Sequence, residues 1–241
     1  MRSHKLRDIP RFTLRAKARL WPDHFASQVY PLVRNHTLLR YETVRSLYEA
    51  AHSVVAGNIP GTAVECGVAR GGSAAAVALA LRESDPNRRL LLFDTFEGLP
   101  EPTRDNPDYD RAIQFTGKCR GGIEEVDGLL RGLGLTNFGM IPGLFQDTLP
   151  SSETGAISLL HVDGDWYEST KVCLEHLWDR VSEGGIVQID DYGEWQGCKK
   201  AVDEFFEARG MGIKMQYVDP SARRLVKPCR KARAVSAGSR G

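Results

Sequence analysis

Thr62-Ala63-Val64-Glu65-Cys66-Gly67-Val68-Ala69-Arg70-Gly71-Gly72-Ser73 is the stretch on which the reading of this chain turns. Five residues of strand character run into a glycine-punctuated turn, and Ala74-Ala75-Ala76-Val77-Ala78-Leu79-Ala80-Leu81 follows at once. That second run is apolar almost all round, the mark of a buried helix. A strand that turns tightly into a buried helix opens a parallel sheet with helices on both faces, an α/β fold. Upstream, Leu38, Tyr41, Val44, Leu47, Tyr48, Ala51 and Val55 recur at three-to-four spacing and predict an amphipathic helix over 37–56, capped by Gly57.

Downstream the alternation continues. Apolar runs at 89–94, 137–141 and 156–163 read as strands, and a helix is expected from about Ser169 to Val181. Gly184-Gly185 should end that helix and open a strand over 186–190. Ala201, Val202, Phe205 and Phe206 mark another helix, closed by Gly210. The last two strands, 213–218 and 223–226, are joined by Asp219-Pro220-Ser221-Ala222, a hairpin turn with Pro at its second position. Residues 95–122, rich in Pro, Gly and acids, show no period. A long loop just after a strand's carboxyl end is expected to be a lid over a site.

The 241 residues suffice for one such domain, and no apolar run approaches the roughly 20 residues of a membrane span. The net charge of +1 hides an asymmetry: residues 1–20 carry seven Lys/Arg and one acid, and 227–241 carry five and none. The body between therefore holds 20 bases and 30 acids, a balance of −10. The expected organisation is a basic N-terminal arm (1–36), a catalytic domain (37–227) with its lid (95–122), and a disordered basic tail (228–241). A nucleic-acid enzyme presents its basic charge on a folded face, which argues against a nucleic-acid partner. Five cysteines, an odd number without C-x-x-C spacing, argue against a disulfide framework or a zinc site and for a reducing, cytoplasmic setting.

Ligands of open α/β sheets bind beyond the carboxyl ends of the strands. In this chain acids stand there: Glu65 before the glycine loop, Asp94 after the second strand, Asp163-Gly164-Asp165 after the third clear one, and Asp190-Asp191 after 186–190. Gly67, Gly71 and Gly72 let the backbone approach a ligand, and the helix that follows offers free N–H groups. The spacing is neither the dinucleotide G-x-G-x-x-G nor a P-loop. Asp94 is placed to accept the ribose hydroxyls of a nucleoside cofactor; its structural alternative is a helix cap. Asp163, Asp190 and Asp191 would repel one another without a cation, and oxygen-only ligands favour a hard one such as Mg²⁺. His161 shares a strand face with Asp163 and reads as a satisfied interior histidine or as a base. Trp166, Tyr167, Tyr192 and Trp195 suit stacking on a sugar and ordinary packing equally.

Five segments occur in order: VECGVARGGSAAAVALAL, LLLFDTFEGLPEP, IPGLFQDTLP, LLHVDGDWYEST and GGIVQIDDYGEWQGCKKAVDEF. Together, over about residues 40 to 227, they resemble the macrocin O-methyltransferase family, which methylates sugar hydroxyls of macrolide and aminocoumarin antibiotics. The wider fold is similar to catechol O-methyltransferase. The resemblance implies a Rossmann-like class I fold, with a mostly parallel seven-stranded sheet and a C-terminal antiparallel hairpin. It further implies that Glu65, Gly67, Gly71, Ser73 and Asp94 hold S-adenosylmethionine, with Gln146 and Asp147 near the adenine. Asp163, Asp190 and Asp191 would bind Mg²⁺, and Asp163 or Asp165 would act on the accepting hydroxyl. The expected acceptor is a small molecule with a vicinal diol, such as a sugar or catechol, and a homo-oligomer is expected from relatives. Rival readings are a metal-dependent glycosyltransferase using the D-x-D of Asp163–Asp165, a nicotinamide oxidoreductase, and a catalytically silent binding protein.

Overall fold

A computed structural model of the chain describes residues 23–212 and 214–229. The basic stretches 1–22 and 230–241, and with them most of the expected arm and tail, lie outside the described residues. Seven strands form one sheet: β1 (Thr62–Cys66), β2 (Leu90–Asp94), β3 (Phe138–Pro142), β4 (Ile157–Val162), β5 (Val181–Ile189), β6 (Gln216–Tyr217) and β7 (Arg223–Val226). Their order is β3-β2-β1-β4-β5-β7-β6. The first five are parallel, β7 is antiparallel to β5, and β6 is antiparallel to β7. The chain reverses its direction of travel across the sheet between β1 and β4. At such a switch point the connecting segments part and leave a crevice.

Helices α1 (Tyr41–Ala56), α2 (Gly72–Ser84) and α3 (Ile123–Gly132) cover one face, and α4 (Tyr167–Leu177) and α5 (Gln196–Ala208) the other. Alternation along the strands feeds both cores: Ala63, Leu90, Leu92, Leu159 and Ile186 face the first, and Val64, Phe93, Leu160, Val187 and Ile189 the second. Gly72 through Leu81 are all buried, because small alanines let α2 lie between α1 and the sheet. Among the described residues no helix is long and apolar enough to cross a membrane.

Three local departures from the sequence reading have simple causes. Residues 25–36 fold as consecutive helical turns, and Phe25, Val29 and Val33 are buried in the first core, so this part of the expected arm belongs to the domain. β5 begins at Val181, ahead of Gly184-Gly185. The glycines do not end a helix; they sit inside the strand where its pairing with β4 is irregular, and Gly184, at φ 79, donates its N–H to the carbonyl of Lys227. α3 has no counterpart in the sequence reading, although Ile123, Val126 and Leu130 recur at helical spacing and pack into the first core with Leu129 and Leu133.

Candidate active site

The glycine loop owes its shape to two contacts. Gly67 has φ 93, and a Cβ there would stand 1.8 Å from the carbonyl oxygen of Asp163. The ends of β1 and β4 meet at this point, the Asp163 N–H donating to Cys66 O at 2.8 Å. Asp94 makes the second contact. Its Oδ2 accepts the N–H groups of Val68 (2.6 Å) and Ala69 (3.1 Å), and its Oδ1 accepts the N–H of Phe96 (2.7 Å) and the Thr95 hydroxyl (3.4 Å). A carboxylate has about four lone-pair sites. Asp94 therefore ties the loop after β1 to the loop after β2, a task the sequence reading had not given it.

Beyond the strand ends lies a cavity of about 470 Å³. Of the residues expected to hold a cofactor, Gly67, Ser73, Asp94 and Gln146 line it. Glu65, Gly71 and Asp147 are not on its wall. Glu65 points to the α1–α2 face of the sheet and is 1% exposed. Gly71 adopts φ 83 to start α2 and has Val126 3.1 Å from its absent Cβ, so it shapes the loop from behind. Asp147 is exposed on the helical turn Phe145–Thr148.

Asp163, Asp165, Asp190 and Asp191 all line the same cavity. Carboxylate oxygens of Asp163, Asp165 and Asp191 lie within 4.8 Å of one another. The sequence reading set Asp190 with Asp163 and Asp191 and kept Asp165 for the acceptor; here Asp165 brings its carboxylate into the tight cluster, and Asp190 lines the cavity beside Asp163. Alternation along β5 turns neighbouring side chains to opposite faces. Asp190 turns toward the α1 face with Gln188, and Asp191, Asp219 and Glu65 are its acidic neighbours and Arg40 its cationic one. Asp165 enters the cluster because its backbone is left-handed (φ 55), and its N–H donates to Asp191 Oδ2 at 2.9 Å. Burial and mutual repulsion push Asp163, Asp165 and Asp190 well above the usual carboxylate range. Burial likewise lifts Asp191 to about 6, against the opposing pull of the Asp165 N–H. Such a set is at rest only when a cation or protons neutralise it. Hard oxygen donors with no His or Cys in the cluster fit Mg²⁺.

Behind the acids runs a buried polar row. Glu65, His161 and Gln188 are register partners across β1, β4 and β5. His161 Nδ1 lies 3.1 Å from Glu65 Oε1, and Gln188 donates to the carbonyl of Thr43 at 3.3 Å. His161 is thus an interior partner of Glu65 and not a wall of the cavity. Several wall residues had no signal in the sequence. Residues 36–40 cross the start of α2, where Gly72 leaves space for the carbonyl of His36, 2.6 Å from a would-be Cβ. Asp219 and Ser221 reach the cavity because the hairpin turn packs on Gly193, whose Cβ would stand 2.0 Å from Pro220 O. From the segment 95–122, Arg111, Phe115 and Cys119 line the cavity, the first two on helical turns over 109–115.

The family model described as macrocin-O-methyltransferase (TylF) matches residues 11–224. An O-methyltransferase of Streptomyces olivaceus, named for 4'-O-methylation of 8-demethyl-8-(2,3-dimethoxy-alpha-L-rhamnosyl)-tetracenomycin C, is 35% identical over 79% of this chain and 78% of its own length. Demethyldecarbamoylnovobiocin O-methyltransferase of Streptomyces niveus is 34% identical over 70% of this chain and 67% of its own length. Among solved structures, the O-methyltransferase NovP superposes with a TM-score of 0.76 at 30% identity, covering 80% of this chain and 83% of the other. With its glycine loop, switch-point cavity and seven-stranded sheet, the chain belongs to the macrocin O-methyltransferase family and is an S-adenosylmethionine-dependent O-methyltransferase.

Proposed function

We propose that this enzyme methylates a hydroxyl of a sugar carried on a natural product, with Mg²⁺ held by Asp163, Asp165 and Asp191. The observation that carries this reading is the cluster of three carboxylates on the wall of the cavity that also presents Gly67, Ser73 and Asp94. The relatives named above for a rhamnosyl-tetracenomycin and a novobiocin precursor support the substrate class. Gly67, Ser73, Asp94 and Gln146 line the donor half of the cavity. The N–H groups at the start of α2 face that half and suit an anionic group of the donor. Arg40, Arg111, Phe115 and Asp219 line the acceptor half beside the acids.

When bound, a divalent cation would supply the positive charge that makes a sugar hydroxyl acidic enough to react near neutral pH. The chain's own work is orientation and proton removal. A diol set against a fixed cluster is held for attack on the sulfonium methyl, and orientation of this kind is worth up to about 7–11 kcal/mol. Asp163 and Asp165 keep some exposure to the cavity, whereas Asp191 is buried, so the first two are placed to take the hydroxyl proton.

The test is release of S-adenosylhomocysteine in a panel of rhamnosylated and other glycosylated aglycones, with Mg²⁺ and then with EDTA. Turnover of a diol-bearing glycoside that falls at least about a hundredfold in EDTA is expected. Full turnover in EDTA would remove the cation from the mechanism, and methylation confined to non-sugar hydroxyls would overturn the acceptor class.

A further inference from the structure

On the acceptor side of the cavity, two charged residues from distant parts of the chain are locked together. Arg111, from the helical turns over 109–115, pairs its guanidinium with the Glu194 carboxylate and donates from Nη1 to the Glu194 carbonyl at 3.3 Å. Both residues line the cavity. The guanidinium stands 3.9 Å over the Trp195 ring, which is 4% exposed and wedged edge to face against Phe115 at 5.5 Å and Trp166 at 5.0 Å. Trp166 is fixed in turn by its indole N–H, which donates to the carbonyl of Pro100 at 2.9 Å. Arg111 therefore has little freedom left to lose when a ligand meets it. The pair also keeps a fixed place relative to the acids, since Glu194 and Trp195 both donate their backbone N–H groups to the carbonyl of Asp191 at 3.0 Å.

A guanidinium has five N–H donors. Arg111 spends two of them on Glu194; among the described residues the rest, and Glu194 Oε2, make no hydrogen bond, and both side chains are half-exposed. The second arginine of the wall, Arg40, is also matched by an acid, its Nε 3.9 Å from Asp219. The wall thus holds no unmatched guanidinium for an anion, and its other charged side chains are carboxylates.

We infer that Arg111 and Glu194 select the acceptor: a neutral sugar, whose hydroxyl beside the reacting diol accepts from Arg111 and donates to Glu194. A hydroxyl both accepts and donates, so it matches a guanidinium–carboxylate pair, whereas an ionised carboxylate or phosphate can only accept. The inference rests on the sugar reading given above and adds to it the residues that choose the sugar and the exclusion of charged ones.

The experiment is steady-state kinetics of the full-length enzyme with S-adenosylmethionine and Mg²⁺, for wild type, R111Q and E194Q. The acceptors are the glycosylated aglycone that the wild type turns over, analogues each lacking one non-reacting hydroxyl of its sugar, and a uronic-acid analogue. E194Q retains an oxygen for Arg111, so segment 95–122 stays docked. The KM for the glycoside should rise at least about tenfold in each variant, while the KM for S-adenosylmethionine stays put. One deoxy analogue should carry a KM about tenfold higher in the wild type but less than about twofold higher in E194Q, because the group that read the missing hydroxyl is gone. The uronic acid should have a kcat/KM at least about tenfold below that of the neutral glycoside. An unchanged glycoside KM in both variants overturns the inference, as does a deoxy penalty equal in E194Q and wild type for every analogue, or a uronic acid that is the better acceptor. A rise of both KM values in E194Q marks a structural role and overturns it too. Should R111Q fail to fold, E194Q decides alone. No turnover of any glycoside refutes instead the sugar reading, and the inference with it.

Discussion

Replacing Asp191 by asparagine in the cation-free protein should make the fold more stable, and most so above neutral pH. Asp191 is buried and its pKa is lifted to about 6, whereas an aspartate of the unfolded chain titrates near 3.9. A carboxyl whose folded pKa is raised contributes stability that is present in full below the unfolded value and is lost as the pH rises through the folded one. Between pH 4 and 6 the cation-free wild type therefore loses stability that D191N keeps. From the two pKa values, ionised Asp191 costs about 3 kcal/mol at pH 8 and about 1.5 kcal/mol at pH 5. Asparagine retains an oxygen that accepts the Asp165 N–H, and its amide finds acceptors in the neighbouring acids. For a domain of this size, about 3 kcal/mol corresponds to a rise in melting temperature of about 6–12 °C. The assay is thermal unfolding in EDTA at pH 5, 6, 7 and 8, repeated with Mg²⁺. Wild type should recover stability with Mg²⁺ mainly at the higher pH values, and D191N should gain much less. A D191N protein that melts lower than wild type at pH 8 in EDTA would refute the idea of a cluster at odds with itself.

Further consequences follow from other contacts. D94A removes the acceptor of three backbone N–H groups; it should lower stability by about 3 kcal/mol and weaken S-adenosylmethionine binding at least tenfold, with D94N intermediate, as read by urea unfolding and calorimetry. G121A places a Cβ 2.0 Å from the carbonyl oxygen of Ala69 and should push the end of segment 95–122 off the glycine loop, exposing that segment to limited proteolysis while leaving the sheet intact. H161A strands the buried carboxyl of Glu65 and should cost about 3–5 kcal/mol, whereas the paired change E65L/H161L should cost less than the two single losses together, as a double-mutant cycle in chemical denaturation would report.

The order of strands and helices, the glycine turn after β1 and the gathering of acids at strand ends are legible in the sequence because each is a local pattern. Apolar periodicity marks an element, and a glycine cluster marks where the backbone must bend. The family signature, being an ordered set of such patterns, is legible for the same reason, and family membership sets aside the glycosyltransferase, oxidoreductase and silent-protein readings. What the chain could not disclose by itself is which neighbours meet across the sheet. Glu65 was expected at a cofactor, yet strand pairing with β4 and β5 turns it toward His161 and Gln188 in the interior. Asp165 lies closer to Asp163 and Asp191 than its place in the sequence suggested, because a left-handed turn swings it toward Asp191. Residues 36–40, the hairpin turn at Asp219 and the segment 95–122 beside Trp195 build the cavity wall from stretches distant in the chain. Their contacts are made by packing at long range, where spacing in sequence carries no information about distance in space.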